Sequence, residues 1–262
     1  MIRAIDHLVI ATDDPDRAAR ELEDAVGIRC TGGGRHDGLG TRNRLAFLAD
    51  DSYLELIGVD DPELAKATPV GRAALRALEE RGGGLATYAL LVDELDSTVE
   101  ALRAAGSSIG PVQPGSRVRD DGEVVRWWIA YPGVELGPAE PPFLIQHEYA
   151  GPEWGPEAMA ARRTQVHPIG SPVHLVRLDV AAAEPPSAAA KLHAELGIDL
   201  WAVADLAVAD IGPHVLRLVP TREMATPAVV TLAADVETPR TVEILGLRFD
   251  LERAAVPVAD RP

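Results

Sequence analysis

The sequence predicts an α+β fold assembled from repeated strand–helix–strand–strand–strand units. Three observations predict it. Runs rich in Ile, Leu and Val alternate with stretches whose apolar residues fall at three- and four-residue spacing. That order restarts near residue 85 and again near residue 172. The tripeptide His7-Leu8-Val9 recurs as His174-Leu175-Val176, and the helix end Val26-Gly27-Ile28 is echoed by Leu196-Gly197-Ile198. The two offsets, 167 and 170 residues, are nearly equal, as an internal repeat requires.

The first unit occupies residues 1–60. Ala4 to Thr12 reads as a strand. Asp14 and Pro15 then suit the cap and first turn of a helix with Ala18, Leu22, Ala25 and Val26 on its apolar stripe, stopped by Gly27. A glycine-rich stretch, residues 32–41, is expected to be a loop carrying His36. Arg44 to Leu48 and Ser52 to Val59 read as strands joined by a turn at Asp50-Asp51. Residues 61–84 read as a linker holding one helix, Val70 to Arg81.

The second unit, residues 85–150, opens with a strand from Leu85 to Val92 and a helix from Asp93 to Ala105. Ile109 to Val112, Glu123 to Ala130 and Pro142 to Glu148 complete it as strands. A third, partial unit spans residues 172–253, with its helix from Pro186 and two or three closing strands after Ala228.

Composition narrows the function. Hydrophobic residues are 47% and charged residues 25% of 262, ordinary for a chain that buries a core. A net charge of −16 repels phosphate backbones and anionic lipid, which argues against nucleic acid and membrane partners. Cys30 is the only cysteine, so no intramolecular disulfide forms, and no run of about 18 apolar residues offers a membrane span. The start at Met1-Ile2-Arg3-Ala4 lacks the pattern of a secretory signal, and cytoplasm is the expected compartment. Neither a phosphate-binding glycine loop nor a serine-nucleophile elbow is present.

The order of elements and several segments together resemble the vicinal oxygen chelate superfamily, which includes glyoxalase I, extradiol dioxygenases and bleomycin-resistance proteins. The segments are Ile5-Asp6-His7-Leu8-Val9-Ile10, Tyr53-Leu54-Glu55-Leu56-Ile57 and the helix between Asp14 and Gly27. Gly33-Gly34-Arg35-His36, Gly40-Thr41-Arg42-Asn43 and Pro142 to Glu148 resemble the glyoxalase-like domain branch. The resemblance implies that two βαβββ modules pair into a curved mixed sheet around a cavity, with the third module packed on their edge or making a homodimer. It also implies metal ligands on the first and last strand of each module.

In the first module those positions fall on His7 and Glu55, an imidazole and a carboxylate suited to a divalent Zn, Fe, Mn or Ni ion. The alternatives are a buried, hydrogen-bonded histidine and an ordinary polar residue on a sheet face. In the second module Thr87 stands opposite His7 and Gln146 opposite Glu55, both poor ligands, with His147 beside Gln146. Alternation turns His147 to the other face unless a bulge re-aims it. The expected set is therefore His7, Glu55 and His147 for a metal, Glu55 and His36 for proton transfer, and Thr87, Gln146 and Trp128 for the pocket wall. Trp127 and Trp128 face opposite ways on one strand, so one lines the cavity and the other packs outside it. Two functions fit these residues. One is a metal-assisted isomerase, lyase or dioxygenase acting on a small oxygenated substrate. The other is a metal-free protein that binds and sequesters a small molecule.

Overall fold

A computed structural model describes residues 1–36 and 38–254. The first unit comprises β1 (Ile2–Ala11), α1 (Pro15–Val26), β2 (Gly32–His36), β3 (Thr41–Phe47) and β4 (Tyr53–Val59). Helix α1 begins where Asp14 accepts hydrogen bonds from the amides of Asp16 and Arg17, and it ends where Gly27 turns left-handed at φ 85°. Ala18, Leu22 and Val26 are its buried face. The linker holds a short helix, α2 (Pro62–Ala65), before α3 (Pro69–Arg81). The second unit is β5 (Gly84–Val92), α4 (Leu95–Ala104), β6 (Gln113–Arg119), β7 (Val124–Ala130) and β8 (Phe143–His147).

Two expectations change here. Residues 109–112 are not a strand; the strand follows them, as β6. The glycine-rich stretch is not a loop either. Gly32 to His36 is β2, and its glycines serve the approach of another strand rather than of a ligand. A Cβ on Gly34, where φ is 156°, would lie 2.0 Å from the Val118 carbonyl oxygen of β6.

That approach closes the sheet. The strand order is β1-β4-β3-β2-β6-β7-β8-β5, a barrel rather than only a curved sheet. The β2–β6 seam has two paired positions, Gly34 with Arg119 and Arg35 with Val118. Arg117 of β6 also donates to the Gly33 carbonyl. Two more helices, α5 (Gly151–Trp154) and α6 (Pro156–Arg163), follow the barrel and bring Glu153 against Arg117 at 2.5 Å and against Arg119 at 2.7 Å.

The third unit consists of β9 (His174–Ala182), α7 (Pro185–Leu196), β10 (Trp201–Val203), β11 (Leu206–Ile211) and β12 (His214–Pro220). Three further strands, β13 (Ala228–Ala234), β14 (Arg240–Ile244) and β15 (Leu247–Arg253), extend its sheet. The seven strands run β10-β11-β12-β9-β13-β15-β14 and stay open. One continuous core joins the outer face of the barrel, through Leu8, Leu54, Tyr88 and Leu144, to the apolar face of the second sheet, through Leu178, Leu216, Val230 and Phe249. No helix among the described residues is long and apolar enough to cross a membrane.

Candidate functional site

Alternation along the strands decides what faces the barrel interior. On β4, Leu54 and Leu56 point to the helices, so Tyr53, Glu55 and Ile57 point inward. On β8, Leu144 points out, so Phe143, Ile145 and His147 point inward. On β1 the alternation is broken. Ile5 lies opposite Leu90 and His7 opposite Ala89, so Asp6 is an extra residue, a β-bulge. The bulge brings the Asp6 carboxylate beside its own neighbour, His7.

Asp6 is the centre of the arrangement. Its Oδ2 accepts from His7 Nδ1 at 2.6 Å and its Oδ1 accepts from His147 Nε2 at 2.9 Å. Burial opposes its ionisation, but the charges and hydrogen bonds of His147 and then His7 outweigh burial and hold its pKa far below the usual carboxylate range. With Nδ1–H bound to Asp6, His7 keeps a lone pair on Nε2. Its ring is fixed by a stack on Tyr53 with centroids 4.5 Å apart and by the edge of Phe143 at 5.5 Å.

His7 Nε2 faces Glu55 Oε2 at 3.6 Å, too far for a hydrogen bond. The imidazole nitrogen and the carboxylate oxygen thus face each other across a gap that suits a shared proton or cation. The other oxygen, Glu55 Oε1, accepts from Asn43 Nδ2 at 2.6 Å. His36 stands on the far side of Asn43. Its Nδ1 donates to Thr41 Oγ1 at 2.8 Å, and its Nε2 lies 3.4 Å from Asn43 Nδ2 and 3.8 Å from Glu55 Oε1. Burial lowers the His36 pKa and outweighs the attraction of Glu55, so the ring is neutral near neutral pH. Asn43 Oδ1 is buried with no partner among the described residues.

These groups line a cavity of about 190 Å³ within the barrel. An engineered apolar cavity of about 150 Å³ holds benzene, so a molecule with one ring fits this space. The walls include Leu45, Ile57 and Ile145, together with the start of α3, at Thr68 to Gly71, and the start of β6, at Gln113 to Gly115.

The structure places the predicted residues as follows. His7, Glu55 and His36 come together on the cavity wall. His147 lines it too, by plain alternation and without a bulge of its own, but its Nε2 is taken by Asp6 and its ring stacks on Trp154 at 3.6 Å. Gln146 faces outward, where its Oε1 accepts from the Leu95 amide at the start of α4. Thr87 is fully buried opposite Val9, outside the residues that line the cavity. Trp128 faces outward at 37% exposure, and Trp127 lines the cavity instead. Gly115 opposite makes room for that indole, since a Cβ there would meet Trp127 Nε1 at 2.2 Å. Asp6, Asn43 and Arg117 are site residues that the sequence reading did not single out. The carboxylate next to His7 was visible in the sequence; the bulge that turns it inward was not.

The donors do not assemble into a metal centre of the expected kind. Among the described residues, no three His, Cys, Asp or Glu side chains are placed to hold one ion. His7 and Glu55 approach each other, but the remaining expected ligand, His147, is committed to Asp6.

A family model described as "glyoxalase-like domain" matches residues 5–197. No curated protein matches the chain. Among solved structures, a hypothetical protein from Staphylococcus aureus is similar over 95% of this chain and 98% of its own, with a TM-score of 0.77 at 16% identity. A mutant of 4-hydroxymandelate synthase from Streptomyces coelicolor covers 90% of this chain and 72% of its own, with a TM-score of 0.58 at 13% identity. Methylmalonyl-CoA epimerase from Mycobacterium tuberculosis covers 57% of this chain and 90% of its own, with a TM-score of 0.41 at 22% identity. At these identities the likeness of the first two concerns the fold.

Proposed function

The chain belongs to the glyoxalase-like domain family, within the vicinal oxygen chelate superfamily, and from that premise we propose that it is an enzyme of isomerase or lyase type that moves a proton on a small molecule held in the barrel. The observation that carries this reading is the bare His7 Nε2, which faces Glu55 Oε2 at 3.6 Å in a buried cavity. Asp6 fixes the tautomer, Tyr53 and Phe143 fix the ring, and the lone pair is left for a substrate proton.

In this mechanism His7 Nε2 takes a proton from an acidic C–H or O–H of the bound molecule. The imidazolium that forms is stabilised by the Asp6 carboxylate at Nδ1 and by Glu55 beside Nε2. Return of the same proton to a different substrate atom completes an isomerisation, and loss of a leaving group in its place completes an elimination. The Asn43 amide holds Glu55 in position, with neutral His36 beside it. Removing a positioned acid–base group costs roughly 10²–10⁴-fold in rate.

The test is exchange of substrate hydrogen for solvent deuterium. Wild-type protein incubated in D₂O with a panel of small carbonyl compounds should incorporate deuterium next to the carbonyl of at least one, read by mass spectrometry. His7→Gln should lower that rate by about 100-fold or more. Binding without exchange across the panel would remove the proton-transfer reading and leave a binding protein. A second reading rests on the same gap: a divalent ion between His7 and Glu55, completed by oxygens of the ligand. Two protein donors are fewer than the usual three of a catalytic centre. Elemental analysis decides between the two. Stoichiometric Zn, Fe, Mn or Ni that is lost in His7→Ala would favour the metal.

A further inference from the structure

We infer that the barrel cavity selects a neutral molecule built on one aromatic ring with a polar substituent; this rests on the proposed reading of the cavity as the substrate site. Two features of the lining carry the inference. The first is where the aromatic residues are. The whole chain has four Trp, four Tyr and three Phe, and five of these eleven, Tyr53, Trp127, Tyr131, Phe143 and Trp154, line this one cavity of about 190 Å³. They belong to, or pack against, the two small buried clusters around the cavity, whereas the main core is built almost wholly of Leu, Val, Ile and Ala. Aromatic walls around a slot of that size favour a flat ring, which they meet edge-to-face or in an offset stack.

The second feature is charge. Among the described residues, Arg117 is the only Lys or Arg in the lining, and it is already engaged by Glu153 at 2.5 Å and by the Gly33 carbonyl. Glu55, in contrast, has hydrogen-bond support from Asn43 but, among the described residues, no Lys or Arg partner. An anionic ligand would therefore enter a buried site next to a carboxylate with no free guanidinium or ammonium to receive it, and burying a charge without a partner is costly. A neutral polar substituent meets no such penalty. Buried Asn43 Oδ1, which lacks a partner, is the acceptor that an O–H on the ring would satisfy.

The test is a matched set of probes at neutral pH: acetophenone and phenol as neutral aromatics, benzoate as the anion of similar shape, and cyclohexyl methyl ketone as the saturated counterpart. Binding is read by calorimetry on the full chain and by quenching of tryptophan fluorescence. Trp127→Phe removes one of the indoles from the wall, so it should shrink the quench that acetophenone causes. Acetophenone or phenol should bind, with benzoate weaker by about tenfold or more and the saturated ketone weaker by roughly fivefold. Benzoate or the saturated ketone binding as tightly as the neutral aromatics, or no probe binding at millimolar concentration, would overturn the inference. The outcomes separate from those of the exchange experiment. Neutral aromatics that bind without deuterium exchange would sink the proton-transfer reading alone. Exchange confined to anionic or open-chain compounds would sink the ligand class alone.

Discussion

The two halves of the molecule share their strand connectivity, apart from one strand, and residues 221–227 stand where the barrel has α2 and α3. In the barrel, β1 runs parallel to β4 and antiparallel to β5, β5 runs parallel to β8, and β7 runs antiparallel to β8. In the second sheet, β9 runs parallel to β12 and antiparallel to β13, β13 runs parallel to β15, and β14 runs antiparallel to β15. What the second half lacks is a counterpart of α4 and β6: only residues 235–239 separate β13 from β14. Without that strand, β10 has no neighbour on its free side and the sheet stays open. The faces that correspond to the barrel interior then diverge. Inside the barrel, Asp6, His7, Glu55 and His147 are each less than 10% exposed; Asp6 accepts from both histidines, and Glu55 faces His7. On the open sheet, Asp179 is buried beneath the partly exposed Arg177 and Arg217, and Arg248 pairs with Asp250 nearer solvent, with Arg217 Nε on Asp179 at 2.7 Å and Arg248 Nε on Asp250 at 2.8 Å. Both sheets bury a carboxylate, but only the closed one sets its carboxylates and imidazoles around an internal cavity.

The comparison breaks most directly at the seam that only the barrel has. Gly34→Ala places a methyl group against the Val118 carbonyl at a left-handed φ, and the strands must part. A loss of about 3 kcal/mol in urea unfolding is expected, together with loss of probe binding. Unchanged stability and binding would show that the barrel holds without the β2–β6 contact. A smaller effect on folding, and a sharper one on chemistry, is expected from a matched pair of neutralised carboxylates. Asp6→Asn leaves an amide that cannot accept from both His7 and His147, so the His7 tautomer is released, and deuterium exchange should fall by about 100-fold or more. Asp179→Asn, on the open sheet, should leave exchange unchanged and cost about 2 kcal/mol of stability, because Arg177 and Arg217 lose the buried carboxylate they share. Equal effects of the two changes on exchange would mean that the barrel carboxylate has no special role.

Period-two alternation made Tyr53, Glu55 and Ile57 readable as one face, and the capping pattern of α1 was readable from Asp14, Pro15 and Gly27. The rest depended on register, which local sequence does not encode. Gln146 was aligned with Glu55, one residue away from the position that faces inward, and a one-residue shift exchanges the two faces of a strand. The same limit put Trp128 rather than Trp127 in the wall. Asp6 escaped notice because a bulge reverses a side chain that alternation would have sent outward. The Gly32–Gly34 run looked like a loop because its purpose lies in β6, more than 80 residues away. Residues 228–253 looked like the end of a third unit because the strand that would have completed a fourth is missing.

The least of the expected effects concerns acid. Burial lowers the His36 pKa, and Glu55 offsets that only in part. Below the ordinary histidine value of about 6.5, the unfolded chain therefore takes up a proton at this position that the folded barrel refuses. The stability contributed by neutral His36 is complete above that value and is lost progressively as pH falls toward the lower pKa of the folded state. His167, whose pKa burial also lowers against the opposing bond to the Phe47 carbonyl, adds to the same slope. His36→Gln cannot be protonated, and it should flatten, without abolishing, the decline of Tm as the pH drops below 6.5. An identical slope in the variant would mean that His36 is protonated as readily in the barrel as in water. The neutral ring beside Asn43 and Glu55 would then have to be replaced by a cationic one, and the exclusion of anionic ligands from the cavity would go with it.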